Sequence, residues 1–183
     1  MGPGVRRDDT EFCGGGDAMS RPLRAGIIAA VAALVLDQGS KLWLLYVFDL
    51  ARRDVVRVTP FFDLVLAWNV GISFGWFQTD SQFAQLLLMA IKAIAVIVLG
   101  IWMARSSTLL ATVALGLIIG GAVGNGIDRF LHGAVVDFAL FHIEIGGKTY
   151  NWYVFNLADV AIVAGVAGLL YDSFLGVPAA KAP

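Results

Sequence analysis

The sequence predicts an α-helical integral membrane protein, with four transmembrane helices and a small extracytoplasmic β-sheet after the first. Three observations carry that reading. Of 183 residues, 58% are hydrophobic and only 15% charged, against an apolar share of about half in soluble domains. Mean hydropathy is +0.78, and the apolar residues gather in separate runs near membrane-spanning length. Between two of these runs, VVRVTPFFDLVLAWNV holds β-branched and aromatic residues in short stretches broken at Pro60, the pattern of two or three short strands.

The spans are expected at about 23–48, 83–103, 109–125 and 155–175, with a β region at about 49–78. Each span can cross about 30 Å of hydrocarbon at 1.5 Å per helical residue, the third only just. ARSST (Ala104 to Thr108) is too short for anything but an antiparallel hairpin. The two longer connections therefore share one side of the membrane, and both termini lie on the other. Arg21, Arg24 and Arg105 sit close to span ends, which favours cytoplasmic termini and outward-facing connections. Trp68, Phe74, Trp76 and Phe77 suit the membrane–water interface.

Residues 1–22 read as a disordered tail rich in Gly and charge, and 176–183 as a second tail. Met19 opens the basic flank MSRPLR and offers an alternative start. The first apolar run is longer than a secretory signal's core and has no small-x-small cleavage site, so it reads as a retained span. Cys13 is the only cysteine, which leaves no intrachain disulfide or cysteine metal cluster. A net charge of −1 points to no nucleic-acid partner.

Ionisable residues inside apolar helices cost about 2.5–3.5 kcal/mol each, so each needs a reason. Asp37 and Lys41 are four apart and share a helix face. They are either a self-neutralising pair or a pair that orients a backbone or substrate group. Lys92 has no carboxylate three or four residues away, and no role is assigned to it. Asn125 with Asp128, and Asn156 with Asp159, form two Asn-x-x-Asp units at the outer ends of spans three and four. Arg129 follows the first unit, and Asp137 stands on the connection between them. Asn and Asp are also ordinary helix-end residues, but two units and a third Asp on one side favour a buried polar site. His132 and His142 match no helical ligand spacing, so no metal site is expected. Ser73 lacks a nucleophile-elbow context.

Two carboxylates close together in a poorly hydrated site share one proton, which supplies an acid and a base at once. The charged member can activate water against a carbonyl, while the protonated member stabilises the developing oxyanion. Such a centre needs no cofactor. Helical spacing alone favours Asp128 as the partner of Asp159.

The order of motifs points elsewhere. DQGSK (Asp37 to Lys41), NVGISFG (Asn69 to Gly75), GGAVGNGIDR (Gly120 to Arg129), VVDF (Val135 to Phe138) and FNLAD (Phe155 to Asp159) together resemble the lipoprotein signal peptidases, or signal peptidase II family. That resemblance implies four membrane helices with cytoplasmic termini and a catalytic pair of Asp137 and Asp159. It implies supporting or substrate-binding roles for Asn69, Asn125, Asp128, Arg129, Asn156, Asp37 and Lys41. The implied reaction is removal of the signal peptide from a diacylglyceryl-modified prolipoprotein, cut on the amino side of the lipidated cysteine at the bacterial inner membrane. Membrane lipid is an implied partner, and globomycin an implied inhibitor. Gly126 replaces a residue often larger in that family, and HIEIGGKTYNWYV is slightly long. An ion-coupled transporter would show repeated halves or paired broken helices, which are absent from the sequence. A presenilin-type protease would need a GxGD motif beside Tyr171 and Asp172, also absent. A non-catalytic scaffold would tolerate loss of both aspartates.

Overall fold

The computed structural model describes residues 19–70 and 82–175. Positions 1–18, 71–81 and 176–183 lie outside them, and so do most of NVGISFG, with Ser73, Phe74, Trp76 and Phe77, and the C-terminal tail.

Helix α1, Arg21–Leu42, starts with Ser20 accepting from the Leu23 N–H and with Pro22 in its first turn. A π-helical segment, Trp43–Val47, continues it. Strands β1, Val56–Thr59, and β2, Phe62–Asn69, follow, with the break at Pro60 where the sequence placed it. Helix α2, Gln82–Arg105, leads through 106–108 to α3, Leu109–His132, which Thr108 caps at its start. Strands β3, Val135–Ile145, and β4, Lys148–Asn151, precede α4, Leu157–Leu175. Among the described residues, three helical stretches are long and apolar enough to cross a membrane: Arg21–Val47, Leu109–His132 and Leu157–Phe174. Their outer faces leave Ile28, Val35, Val163 and Phe174 exposed, as lipid-facing positions require.

Two boundaries differ from expectation in ways that matter for the site. Helix α3 runs on to His132, past the expected end at Asn125, so Asn125, Asp128 and Arg129 lie within its last two turns. It stops at Gly133, whose left-handed backbone (φ 72°) closes the helix. The second long connection is sheet rather than loop. It adds β3 and β4 to the first two strands in an antiparallel sheet ordered β1-β2-β3-β4. The length of HIEIGGKTYNWYV is that of a hairpin: Ile145 pairs with Lys148 across Gly146 and Gly147, both at positive φ, the geometry of a two-residue turn.

Helix α3 is the hub, packed on α1, α2 and α4. It approaches its neighbours backbone to backbone, because a side chain at Gly116 would strike the Gly26 carbonyl, and one at Gly120 the Ala30 carbonyl. On the other flank, Gly121 faces the Ala158 carbonyl, and Gly165 of α4 faces that of Ala114. Membrane helices gain little from hydrophobic exclusion, so such small-residue contacts set how closely they pack. At the end of the bundle, Leu44, Leu50, Phe138 and Ala139 form a core with Phe62, Leu64 and Phe155 that seats the sheet on α1.

Candidate active site

The tight α1–α3 contact brings two polar faces together. Lys41 is 2% exposed, and its ammonium donates to Asp37 Oδ2 at 2.8 Å and to Asn125 Oδ1 at 3.2 Å. It also lies 2.7 Å from Asp128 Oδ2. Three acceptors match the three N–H bonds of an ammonium. Gly124 is required here, since a side chain on it would sit 2.5 Å from Asp37 Oδ2. Asp128 is further bound by Gln38 Nε2 at 2.8 Å and by the Val136 N–H at 3.1 Å. The two readings of the Asp37–Lys41 pair are both realised. It is neutralised internally, and Asp37 Oδ1 also accepts the Ala158 N–H at 2.9 Å, in the first turn of α4.

Asn156 precedes α4 as its cap. Its side chain accepts the Asp159 N–H at 3.0 Å, while Asp159 Oδ2 accepts the Asn156 N–H at 3.3 Å, a reciprocal capping box. The ordinary helix-end role of this Asn-x-x-Asp unit is therefore present together with its place in the site. Just upstream, Phe155 is stitched to β3: its carbonyl accepts from Ala139 N–H at 2.8 Å, and its N–H donates to Ala139 O at 3.0 Å. That latch sets the start of α4 against the strand that carries Asp137.

Asp137 pairs across the sheet with Ala67. One of its oxygens accepts Asn156 Nδ2 at 2.7 Å, and the other accepts Asn69 Nδ2 at 3.1 Å. Asp159 Oδ1 accepts Asn125 Nδ2 at 2.9 Å, and Asn156 Nδ2 lies 3.0 Å from Asn125 Oδ1. Asp137 and Asp159 are thus held by a shared pair of asparagines. Arg129 joins through its guanidinium, which donates to the Asn125 carbonyl at 3.2 Å, and not through Asp128. Burial is the main influence on Asp137, which is 3% exposed, and it raises the carboxyl's pKa above the ordinary value. The Asp159 charge adds to the rise, whereas the Asn69 and Asn156 hydrogen bonds and the Lys41 charge oppose it.

All nine residues expected at the site thus fall in one connected network. Gln38 belongs to it and had no assigned role; its position three residues before Lys41, on the same helix face, was the available signal. His132 instead lies edge-on to Trp68, with ring centroids 5.5 Å apart. His142 faces Asp63 on the sheet at 3.1 Å.

The difference between the aspartates is chemical. Asp37 and Asp128 share the Lys41 ammonium, whereas Asp137 and Asp159 form no ion pair among the described residues and are bound by amides. A pair of amide-held carboxylates, one on a strand and one in the first turn of an apolar helix, is the site expected of a membrane-embedded aspartic peptidase. The sequence matches the family described as signal peptidase (SPase) II over residues 29–175. It is 74% identical over 162 residues to the lipoprotein signal peptidase of Nitrobacter hamburgensis, covering 88% of this chain and 99% of that protein. Identity to the lipoprotein signal peptidase of Rhodopseudomonas palustris is 68% over the same length and coverage. A solved bacterial membrane enzyme superposes with a TM-score of 0.67 at 27% identity, covering 84% of this chain and 95% of its own. The chain belongs to the signal peptidase II family, and it is an aspartic peptidase.

Proposed function

We propose that this peptidase removes the signal peptide from diacylglyceryl-modified prolipoproteins, cutting on the amino side of the lipidated cysteine, with Asp137 and Asp159 as its catalytic pair. The observation that carries the assignment of the pair is the contrast among the four aspartates of the network, Asp37, Asp128, Asp137 and Asp159. A carboxylate locked to a lysine cannot exchange protons freely, and of these four only Asp137 and Asp159 are left without one. Asp137, whose burial favours the neutral form, holds the shared proton. Asp159, more open to solvent, takes a proton from water, and that water attacks the scissile carbonyl. The Asp137 hydroxyl donates to the carbonyl oxygen as the tetrahedral intermediate forms. Collapse of the intermediate breaks the C–N bond, and the proton held by the pair passes to the leaving amine. Asn69, Asn125 and Asn156 fix both carboxyls, and Arg129 lies beside them where peptide backbone would pass. No step calls for a cofactor.

In the membrane, α2 at 24 residues rises about 36 Å at 1.5 Å per residue and completes four spans. The termini face the cytoplasm, and the sheet and aspartates face outward, as Arg21, Arg24 and Arg105 at the opposite end favour. The test is a gel shift with purified, diacylglyceryl-modified prolipoprotein. Cleavage is expected with the lipidated form, should persist with a chelator, and should stop with globomycin. Equal cleavage of the unlipidated precursor would overturn the substrate assignment.

A pH prediction follows from Asn69. Its hydrogen bond to Asp137 favours the ionised form, so Asn69→Ala raises the Asp137 pKa further. The alkaline limb of kcat/KM, where Asp137 loses its proton, should then move to higher pH by about one unit, the equivalent of one lost hydrogen bond. The acid limb should stay in place. A downward move would reverse the proton assignment within the pair.

A further inference from the structure

The α2–α3 face carries an apolar groove that leads away from the aspartate pair and meets it at Arg129. The groove, of about 450 Å³, runs between the two helices, lined by Met89, Val96, Ile97, Val123 and Phe130, with Lys92 and Arg129 on its walls. From the 106–108 connection, Lys92 and Ala122 stand at equal heights, about 20 Å up their helices, and Arg129 stands about 10 Å higher. Helical side chains lean toward their own N-terminus. In this antiparallel pair the ammonium of Lys92 therefore climbs toward Arg129, and the guanidinium descends toward Lys92. The two cations converge in an apolar groove, and neither forms an ion pair among the described residues. The groove is open beside Gly126, where an added Cβ would meet no atom within 4 Å.

We propose that this groove binds one anionic glycerophospholipid, with an acyl chain along the apolar wall and the phosphodiester between Lys92 and Arg129. Charge complementarity selects the occupant. Two converging cations in hydrocarbon need an anion, the apolar wall needs a chain, and an anionic membrane lipid carries both. Asp128 is engaged with Lys41. The charges of Asp137 and Asp159 act on Arg129 from the site side, whereas among the described residues no carboxylate acts on Lys92, whose charged neighbour is Arg129. The inference rests on α2 being a membrane span, and the site borders the aspartate pair through Arg129.

The test is native mass spectrometry of the full chain released from nanodiscs that mix phosphatidylglycerol and phosphatidylcholine of equal chain length. At about fivefold per cation, the parent should retain phosphatidylglycerol about 25-fold over phosphatidylcholine. Lys92→Met should cut that preference to about fivefold, and Lys92→Arg should keep it. Gly126→Phe fills the groove and should lower retention of bound lipid while both cations remain. Unchanged preference in Lys92→Met overturns the site, as does release of the lipid by inorganic phosphate alone, which would mark a simple anion site. Prolipoprotein cleavage in the same samples separates the two readings. A parent that cleaves but shows no headgroup preference overturns the lipid site only. A parent that keeps the preference without cleaving overturns only the proposed substrate.

Discussion

Asp137→Asn and Asp159→Asn should each lower prolipoprotein cleavage by about three to four orders of magnitude, the range that a positioned acid or base contributes. Both substitutions keep volume and most of the hydrogen-bonding capacity, so the fold should survive, as an unchanged unfolding temperature in detergent would show. The double variant should be scarcely slower than either single one, because the two carboxyls act on one proton and their effects do not add. Asp128→Asn makes the informative contrast. Asp128 is tied to Lys41, Gln38 and the Val136 N–H, so its loss should appear first as reduced stability, with activity falling only as far as the site loosens. If Asp128→Asn abolished turnover in a fully stable protein while Asp137→Asn retained it, the catalytic pair would have to be reassigned to Asp128 and Asp159.

That contrast marks how far the sequence could be read. The presence of long apolar helices, the short connection between α2 and α3, and the strand break at Pro60 follow from local pattern alone: apolar run length, connection length and proline's missing donor. The pairing of Asp37 with Lys41 was visible at a spacing of four. Between Asp128 and Asp137 only the order of motifs could choose, because spacing shows which residues share a helix face but not which carboxylate a distant lysine will take. Lys41 reaches Asp128 only because Gly116 and Gly120 let α1 and α3 touch backbone to backbone and Gly124 leaves room for the Asp37 carboxylate, a tertiary contact that neither helix shows on its own. Strands β3 and β4 were missed for a different reason. VVDFALFHIEI and the following Gly146–Gly147 turn carry an ordinary hairpin signal, but the first half of β3 is buried on both faces and so lacks the alternation that marks a half-buried strand. Helix α3 also continues about two turns past its expected end, since Asn125 and Asp128 find partners on α1, β3 and α4.

Lys41→Met should destabilise the protein by about 3–5 kcal/mol, the cost of removing one partner from a buried ion pair. The argument lies in what remains. Lys41 serves two carboxylates, at 2.8 Å and 2.7 Å, and is itself 2% exposed, with Asp37 at 0% and Asp128 at 3%. Without the ammonium, two buried carboxylates face each other with only Gln38 between them, and one must take up a proton to persist. Asp37 also holds the Ala158 N–H, so the first turn of α4, and with it Asp159, loses an anchor. Neutralising the set together should reverse most of the loss. In Asp37→Asn/Lys41→Met/Asp128→Asn no charge is left unpaired, and stability should return to within about 1–2 kcal/mol of the parent, since well-packed neutral groups often replace buried ion pairs at little cost. Urea or thermal unfolding in mild detergent reads both effects. Parent-like stability in Lys41→Met alone would mean that water reaches Asp37 and Asp128, and that the α1–α3 contact is not the dry seam on which the position of the catalytic pair depends.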